Sequence, residues 1–241
     1  MRRSWTIARR ELASFFDSLI AYILLAVFLG VCGFFTWMYG QDIFIRGQAD
    51  LAVFFNTAYW VLFLFIPAIT MRSLADEKRT GTLDLLLTKA VTDRQVVVGK
   101  FIAAMVLIAI ALACTLPYYI TIAFIGNVDH GVVWCGYLAL LLVSAAYVGA
   151  GIYASSSTDN QIVAFLVALM IILFFQIIFQ AMAANFTGLT GTVLAQLSTS
   201  THFDSVSRGV VDSRDLLYFL GIAVIGLSLA EINLAKRAIK G

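Results

Sequence analysis

The feature that most constrains this chain is a series of long stretches without Asp, Glu, Lys or Arg. They run from Ser18 to Gln41, Leu51 to Met71, Phe101 to Val128, Gly131 to Thr158, Asn160 to Phe203 and Leu216 to Ala230. A bilayer core about 30 Å thick needs roughly 20 apolar residues per helical span. Backbone polar groups inside lipid must be satisfied within the segment, which favours helices. Each stretch is therefore read as a transmembrane helix. Composition agrees, since only 12% of the 241 residues are charged and 61% are hydrophobic. A soluble domain carries about 25% charge. This excludes an ordinary soluble enzyme, a disordered chain and a disulfide-rich secreted module.

The predicted fold is an all-α polytopic membrane protein, one domain over residues 1–241 with six spans and both termini cytoplasmic. The spans fall at about 18–41, 51–71, 96–126, 131–154, 160–183 and 215–235. The first is too long for a typical signal peptide, and no small-residue cleavage site follows it. The fifth stretch is too long for one helix. Ile162 to Met182 is solidly apolar, whereas residues 184–203 are rich in Thr, Ser and Gly. That outer part is either a short helix dipping into the bundle or an exposed loop, with the dipping helix favoured.

Lys and Arg set the orientation. Four stand before span 1, six between Arg72 and Lys100, and three after span 6, so 13 of 16 lie on one side. Arg46, Arg208 and Arg214 are the remainder. By the positive-inside rule the first set is cytoplasmic.

No span carries a charge at its centre, which argues against ion-coupled transport. Neither a phosphate-binding Gly-rich loop nor a nucleophile or zinc-protease motif occurs. Gly99-Lys100 is followed by Phe101 and opens a helix, so it is not a nucleotide loop. Cys32, Cys114 and Cys135 have no ligand spacing and are read as small apolar residues. His130 and His202 are read as interfacial histidines. Pro67 and Pro117 are expected to bend spans 2 and 3. Ser144, Ala145, Gly149, Gly151 and Ala154 form a small-residue face for close helix packing, within the chain or between two copies. Trp37, Tyr39, Tyr118, Tyr119, Trp134 and Tyr137 read as an outer aromatic belt.

Residues 3–16 have helical periodicity. Trp5, Ala8, Leu12, Phe15 and Phe16 share one face, Arg2, Arg3, Arg9 and Arg10 an adjacent arc, with Glu11 on the far side. Such a helix lies in the membrane interface. The loop RSLADEKRTGTLDLLLTKAVTDRQVVVGK, residues 72–100, has planned helix starts. Ser73 with Asp76 and Thr92 with Gln95 are capping-box patterns. Gly81 would end a first short helix. Leu83, Leu86 and Leu87 give a second one an apolar stripe. A stripe beside charges suits either a soluble partner or the membrane surface.

These residues resemble the ABC-2-type exporter permeases. The string E-x-x-x-G-T-[LM]-[ED]-x-L-L stands here as Glu77, Gly81, Thr82, Leu83, Asp84, Leu86 and Leu87, with Lys78 and Arg79 inside it. RRELASFFDSLIAY is similar to the family's elbow helix, with Trp5, Arg9, Arg10, Glu11, Phe15 and Phe16 as its characteristic residues here. FIPAITMRSLADEKRTGTLDLLLT, SSSTDNQIVAF and HFDSVSRGVVDSRDLLYF are also similar, and the set resembles the branch of gliding-motility-associated permeases. Leu19 and Ala90 stand where relatives often have Pro. The resemblance implies a bacterial inner-membrane exporter subunit with no catalytic residues and no metal. Residues 72–95 would be its coupling segment. It would bind no cofactor, with ATP and Mg on a partner, a cytoplasmic ABC ATPase. A second permease copy or a paralogue would complete the pathway, membrane lipids would surround it, and nucleic acid would play no part. The alternative is a non-transporting assembly subunit of a cell-envelope machine driven by such an ATPase.

Overall fold

The structure is a computed structural model that describes residues 2–38, 49–81 and 92–238. Among these residues there are helices and no strand. Tyr39, Arg46, Lys89, Ala90, Lys240 and, of the residues expected to couple, Thr82, Leu83, Asp84, Leu86 and Leu87 lie outside the described residues.

Helix α1 (Arg2–Asp17) meets α2 (Leu19–Trp37) at a bend. The two axes differ by 75°. The break falls at Ser18, whose hydroxyl donates to the Phe15 carbonyl at 2.9 Å. That bond satisfies one of the carbonyls every helix end leaves open. Then come α3 (Ala52–Thr70), the short α4 (Ala75–Arg79), α5 (Asp93–Ala113) and α6 (Leu116–Ile125). The central α7 (His130–Ser157) is followed by α8 (Gln161–Leu173), a π turn at Phe174–Ile178 and α9 (Phe179–Asn185). Two short helices, α10 (Leu189–Leu197) and α11 (Thr199–Ser207), lead to α12 (Ser213–Ala238).

Five helical stretches are long and apolar enough to cross a membrane: Ala52–Arg79, Asp93–Ile125, His130–Ser157, Gln161–Asn185 and Ser213–Lys236. The bent α1–α2 pair brings the number to six if it is taken as one span. The protein is thus an all-α, multi-pass membrane protein.

Helix α7 is the core of the bundle, packed by α12, α8, α3, α11 and α5. Its small residues explain why. A Cβ on Gly149 would lie 2.8 Å from the Ala223 backbone, and one on Gly226 would lie 2.5 Å from the Gly149 carbonyl carbon. A Cβ on Gly151 would lie 2.1 Å from the Thr70 hydroxyl. The small-residue face is therefore spent inside the chain, on α12 and α3. Close approach of this kind is how helices associate where lipid removes the hydrophobic driving force.

The two prolines behave differently. Pro67 is buried inside α3. Pro117, expected to bend a continuous span, stands instead in the first turn of α6, after a break at Cys114 and Thr115. A first-turn proline gives up no helical hydrogen bond. The Thr115 hydroxyl closes the break, donating to the Leu112 carbonyl at 2.6 Å and lying 3.1 Å from the Tyr137 hydroxyl.

The expected aromatic belt divides. Trp134 faces outward, while Tyr137 is buried with Phe54 and Phe55. The Tyr118 hydroxyl donates to the Leu29 carbonyl. The segment after α9 divides too: Leu189 and Val193 of α10 are exposed, whereas Thr199, His202, Phe203 and Val206 of α11 are buried among the longer helices.

Candidate coupling site

The segment that follows α3 is bound into the bundle from several sides. Asp93–Ala113 starts with the expected capping box, Thr92 and Gln95 each bonding the other's backbone N–H. The expected Ser73 box does not form. The Ser73 N–H is engaged in a turn with the Thr70 carbonyl, and α4 starts two residues later. Its cap comes from α7. The Ser155 hydroxyl accepts from the Leu74 and Ala75 N–H groups at 2.9 and 3.0 Å. It donates to the Met71 carbonyl at 3.0 Å. A hydroxyl has one proton and two lone pairs, and here all are used. Ser155→Ala leaves two buried donors unmatched, a cost of about 1–3 kcal/mol. The thermal unfolding temperature of the purified variant should fall accordingly, while Ser157→Ala, at a more exposed hydroxyl, should barely move it.

The turn after α7 gathers further contacts. The Lys78 ammonium donates to the Ser156 carbonyl. Gln161 donates to Asp76 at 2.6 Å, and Asp76 also pairs with Arg79 at 3.1 Å. From α12, the Asn233 amide reaches the Ser156 and Ser157 hydroxyls, each at 3.1 Å. Gly81 ends the described part of the segment with φ +68°. That left-handed conformation favours glycine, as expected for a helix stop.

The N-terminal helix joins the same site. A Cβ on Gly99 would lie 2.8 Å from Ile7 and 3.0 Å from the Ser4 carbonyl. Glycine at this position lets α1 cross α5 in direct contact. One residue on, Lys100 is 3% exposed. Its ammonium lies 2.9 Å from Glu77 and 3.2 Å from Glu11. Arg10 pairs with Glu11 at 2.9 Å and stands 3.8 Å from Glu77. Two cations and two carboxylates thus tie α1, α4 and α5 together. Burial is tolerable for such charges only when they are paired. A cavity of about 410 Å³ opens beside them, lined by Arg10, Glu11, Phe15, Arg72 and Glu77.

The sequence-predicted residues therefore separate. Glu77 and Lys78 point into the protein, Asp76 is partly exposed, and Arg79 points out. Glu11, expected on the far side of the first helix, faces Lys100. The buried face of α1 is Ser4, Ile7 and Ala8, whereas Trp5 is 60% exposed. Phe15 and Phe16 are half-buried against the core, and Arg9 is exposed. Lys100, Ser155, Gln161 and Asn233 were not among the predicted residues. A lysine two turns inside an apolar helix was the available signal, because such a charge must find partners.

Other expectations change as well. His202 is not an interfacial side chain but a buried one, 2.6 Å from Asp215. Cys32 is buried and Cys114 exposed. Among the described residues no cluster of His, Cys, Asp and Glu suits a metal ion.

The described residues thus form a multi-pass helical bundle with an N-terminal helix at a sharp bend and a segment after α3 bonded to α1, α5, α7 and α8. The family model for ABC-2 family transporter protein matches residues 5–205, and the chain belongs to that family. It is an ABC transporter permease. Comparison with curated proteins finds no match.

Proposed function

We propose that this chain is the membrane subunit of an ATP-driven exporter. A separate cytoplasmic ABC ATPase docks on residues 72–95, and its closure moves the helices. The observation that carries this reading is the bonding of the segment after α3. Through Ser155, Lys78, Gln161 and Glu77 it is tied to α7, α8, α5 and α1. A push there reaches four helices at once, where an isolated loop would absorb it. The basic residues of this end of the bundle support a cytoplasmic placement. The 75° bend and the outward Trp5 suit an elbow in the inner leaflet of a bacterial inner membrane.

The substrate is best matched by an apolar or lipid-linked molecule or a peptide. A groove of about 640 Å³ between α2, α3 and α8 is lined by Val31, Trp60, Leu64 and Phe165, with Asn56 and Thr57 as its polar residues. A second permease, the same or paralogous, would close this open groove into a path.

The test is co-purification with the ABC ATPases of the same genome. The exposed Arg79 is the cleanest docking probe. Arg79→Glu should weaken capture of the ATPase while leaving the melting temperature unchanged. Glu77→Lys should lower both, because it also breaks the Lys100 pair. Undiminished capture by Arg79→Glu, with Glu77→Lys equally competent, would remove this segment from the docking surface.

A further inference from the structure

The cavity beside the Lys100 pairs and the apolar groove between α2, α3 and α8 have one wall in common. Ala68, in the last turn of α3, lines both. Toward Arg72 the space is a polar chamber of about 410 Å³, edged by charged side chains and by the Ser14, Ser18 and Ser73 hydroxyls. Toward Trp60 it is an apolar slot of about 640 Å³ between Leu24, Val27, Val61, Leu64 and Phe65. From Ala68 to Trp60 the slot follows eight residues of α3. That is about 12 Å at the helical rise of roughly 1.5 Å per residue. Polar Asn56 and Thr57 mark its far end. The hydrocarbon of one leaflet is about 15 Å deep, half of a core of about 30 Å. A polar chamber that opens into an apolar slot nearly one leaflet deep has the shape of one amphiphile.

Most of the charge around the chamber is already matched. Lys100 pairs with Glu11 and Glu77, Arg10 with Glu11, and Arg79 with Asp76. Among the described residues Arg72 meets no carboxylate and makes no hydrogen bond, and the Ser14 and Ser73 hydroxyls have no partner. Arg10, Arg72, Arg79 and Lys100 thus face Glu11, Asp76 and Glu77, and the positive charge left over is that of Arg72. A guanidinium fork fits two phosphate oxygens, and a hydroxyl can donate to a third. Basic pockets between membrane helices take anionic headgroups in this way.

We propose that the chamber and the slot together bind one anionic phospholipid from the leaflet on the basic side of the bundle. Its phosphate sits on Arg72 with Ser14 and Ser73, and one acyl chain lies in the slot against Leu64 and Trp60. A single surplus positive charge selects a headgroup of net charge minus one over a zwitterionic headgroup, whose own ammonium offsets its phosphate. The phosphate bridges α1, through Ser14, to the end of α3. Occupancy needs neither an ATPase nor transport, so the site is separable from the export reading.

The test uses the full-length permease in liposomes, with Trp5, Trp37 and Trp134 replaced by Phe so that Trp60 is the sole tryptophan. Trp60 lines the slot and is 47% exposed. Brominated acyl chains quench a tryptophan only in contact with it. Exchanging a small share of the lipid for brominated phosphatidylglycerol or brominated phosphatidylethanolamine therefore reads which lipid occupies the slot. Phosphatidylglycerol should be preferred about fivefold, the worth of one basic residue toward an anionic lipid. Arg72→Gln, at an exposed position that the fold does not need, should bring the preference to near unity. Ala68→Phe, which plugs the junction, should do the same with Arg72 still in place. Arg9→Gln removes the same charge from an exposed site outside the chamber and should leave the preference intact. Equal quenching by the two lipids in the parent would mean adventitious lipid contact only, and overturns the proposal. So does an equal loss in Arg72→Gln and Arg9→Gln, which would be surface attraction, or a preference that survives Ala68→Phe. Quenching by neither lipid would mean that another chain covers the slot; it too overturns the lipid site, while leaving the export reading standing.

Discussion

Replacing Lys100 with methionine is expected to destabilise the protein by about 3–5 kcal/mol, the cost of breaking a buried ion pair from one side. Methionine keeps the volume and the flexible stem of lysine, so packing changes little. What changes is charge. Glu11 and Glu77 would remain against one another with Arg10 alone to offset them. Both carboxylates keep some contact with solvent, so the loss should fall near the lower end. The measurement is thermal unfolding of purified Lys100→Met in detergent. Adding Glu77→Gln and Glu11→Gln should recover most of the loss, because a neutral cluster no longer needs the ammonium. A single variant as stable as the parent would mean that the pairs contribute nothing.

Gly149→Leu should also be strongly destabilising. Overpacking a tight core costs about 1–3 kcal/mol and occasionally more, because side chains and backbone must shift. Here the obstacle is the backbone of Ala223 at 2.8 Å rather than a mobile side-chain tip. Helix α12 would have to move off α7 as a body. Folded protein should be lost, read as the monodisperse fraction on size exclusion. Gly221→Leu is the control, since a Cβ there has nothing within 4 Å. Equal yields of the two variants would contradict the crossing described here.

The spans were legible because hydropathy and length are local properties that a bilayer enforces directly. The family was legible because its motifs are contiguous strings. What the sequence could not supply were pairings between distant positions. Ser155 read as one more small residue in a Ser-rich turn, and nothing local tells that its hydroxyl caps a helix 80 residues earlier. Lys100 read as one more cytoplasmic charge. Glu11 was placed away from the lipid-facing Trp5, but its partner was not legible. Crossing at Gly99 selects Ser4, Ile7 and Ala8, which carries Glu11 to Lys100. His202 was misread for the same reason, since its partner Asp215 lies on a different helix.

The most direct test of energy entry at this end of the bundle is ATP hydrolysis by the captured ATPase in proteoliposomes. The permease should change the hydrolysis rate, and Arg79→Glu should abolish that change with the bundle still folded. Hydrolysis that is the same with the parent permease, with Arg79→Glu and with empty liposomes would contradict it.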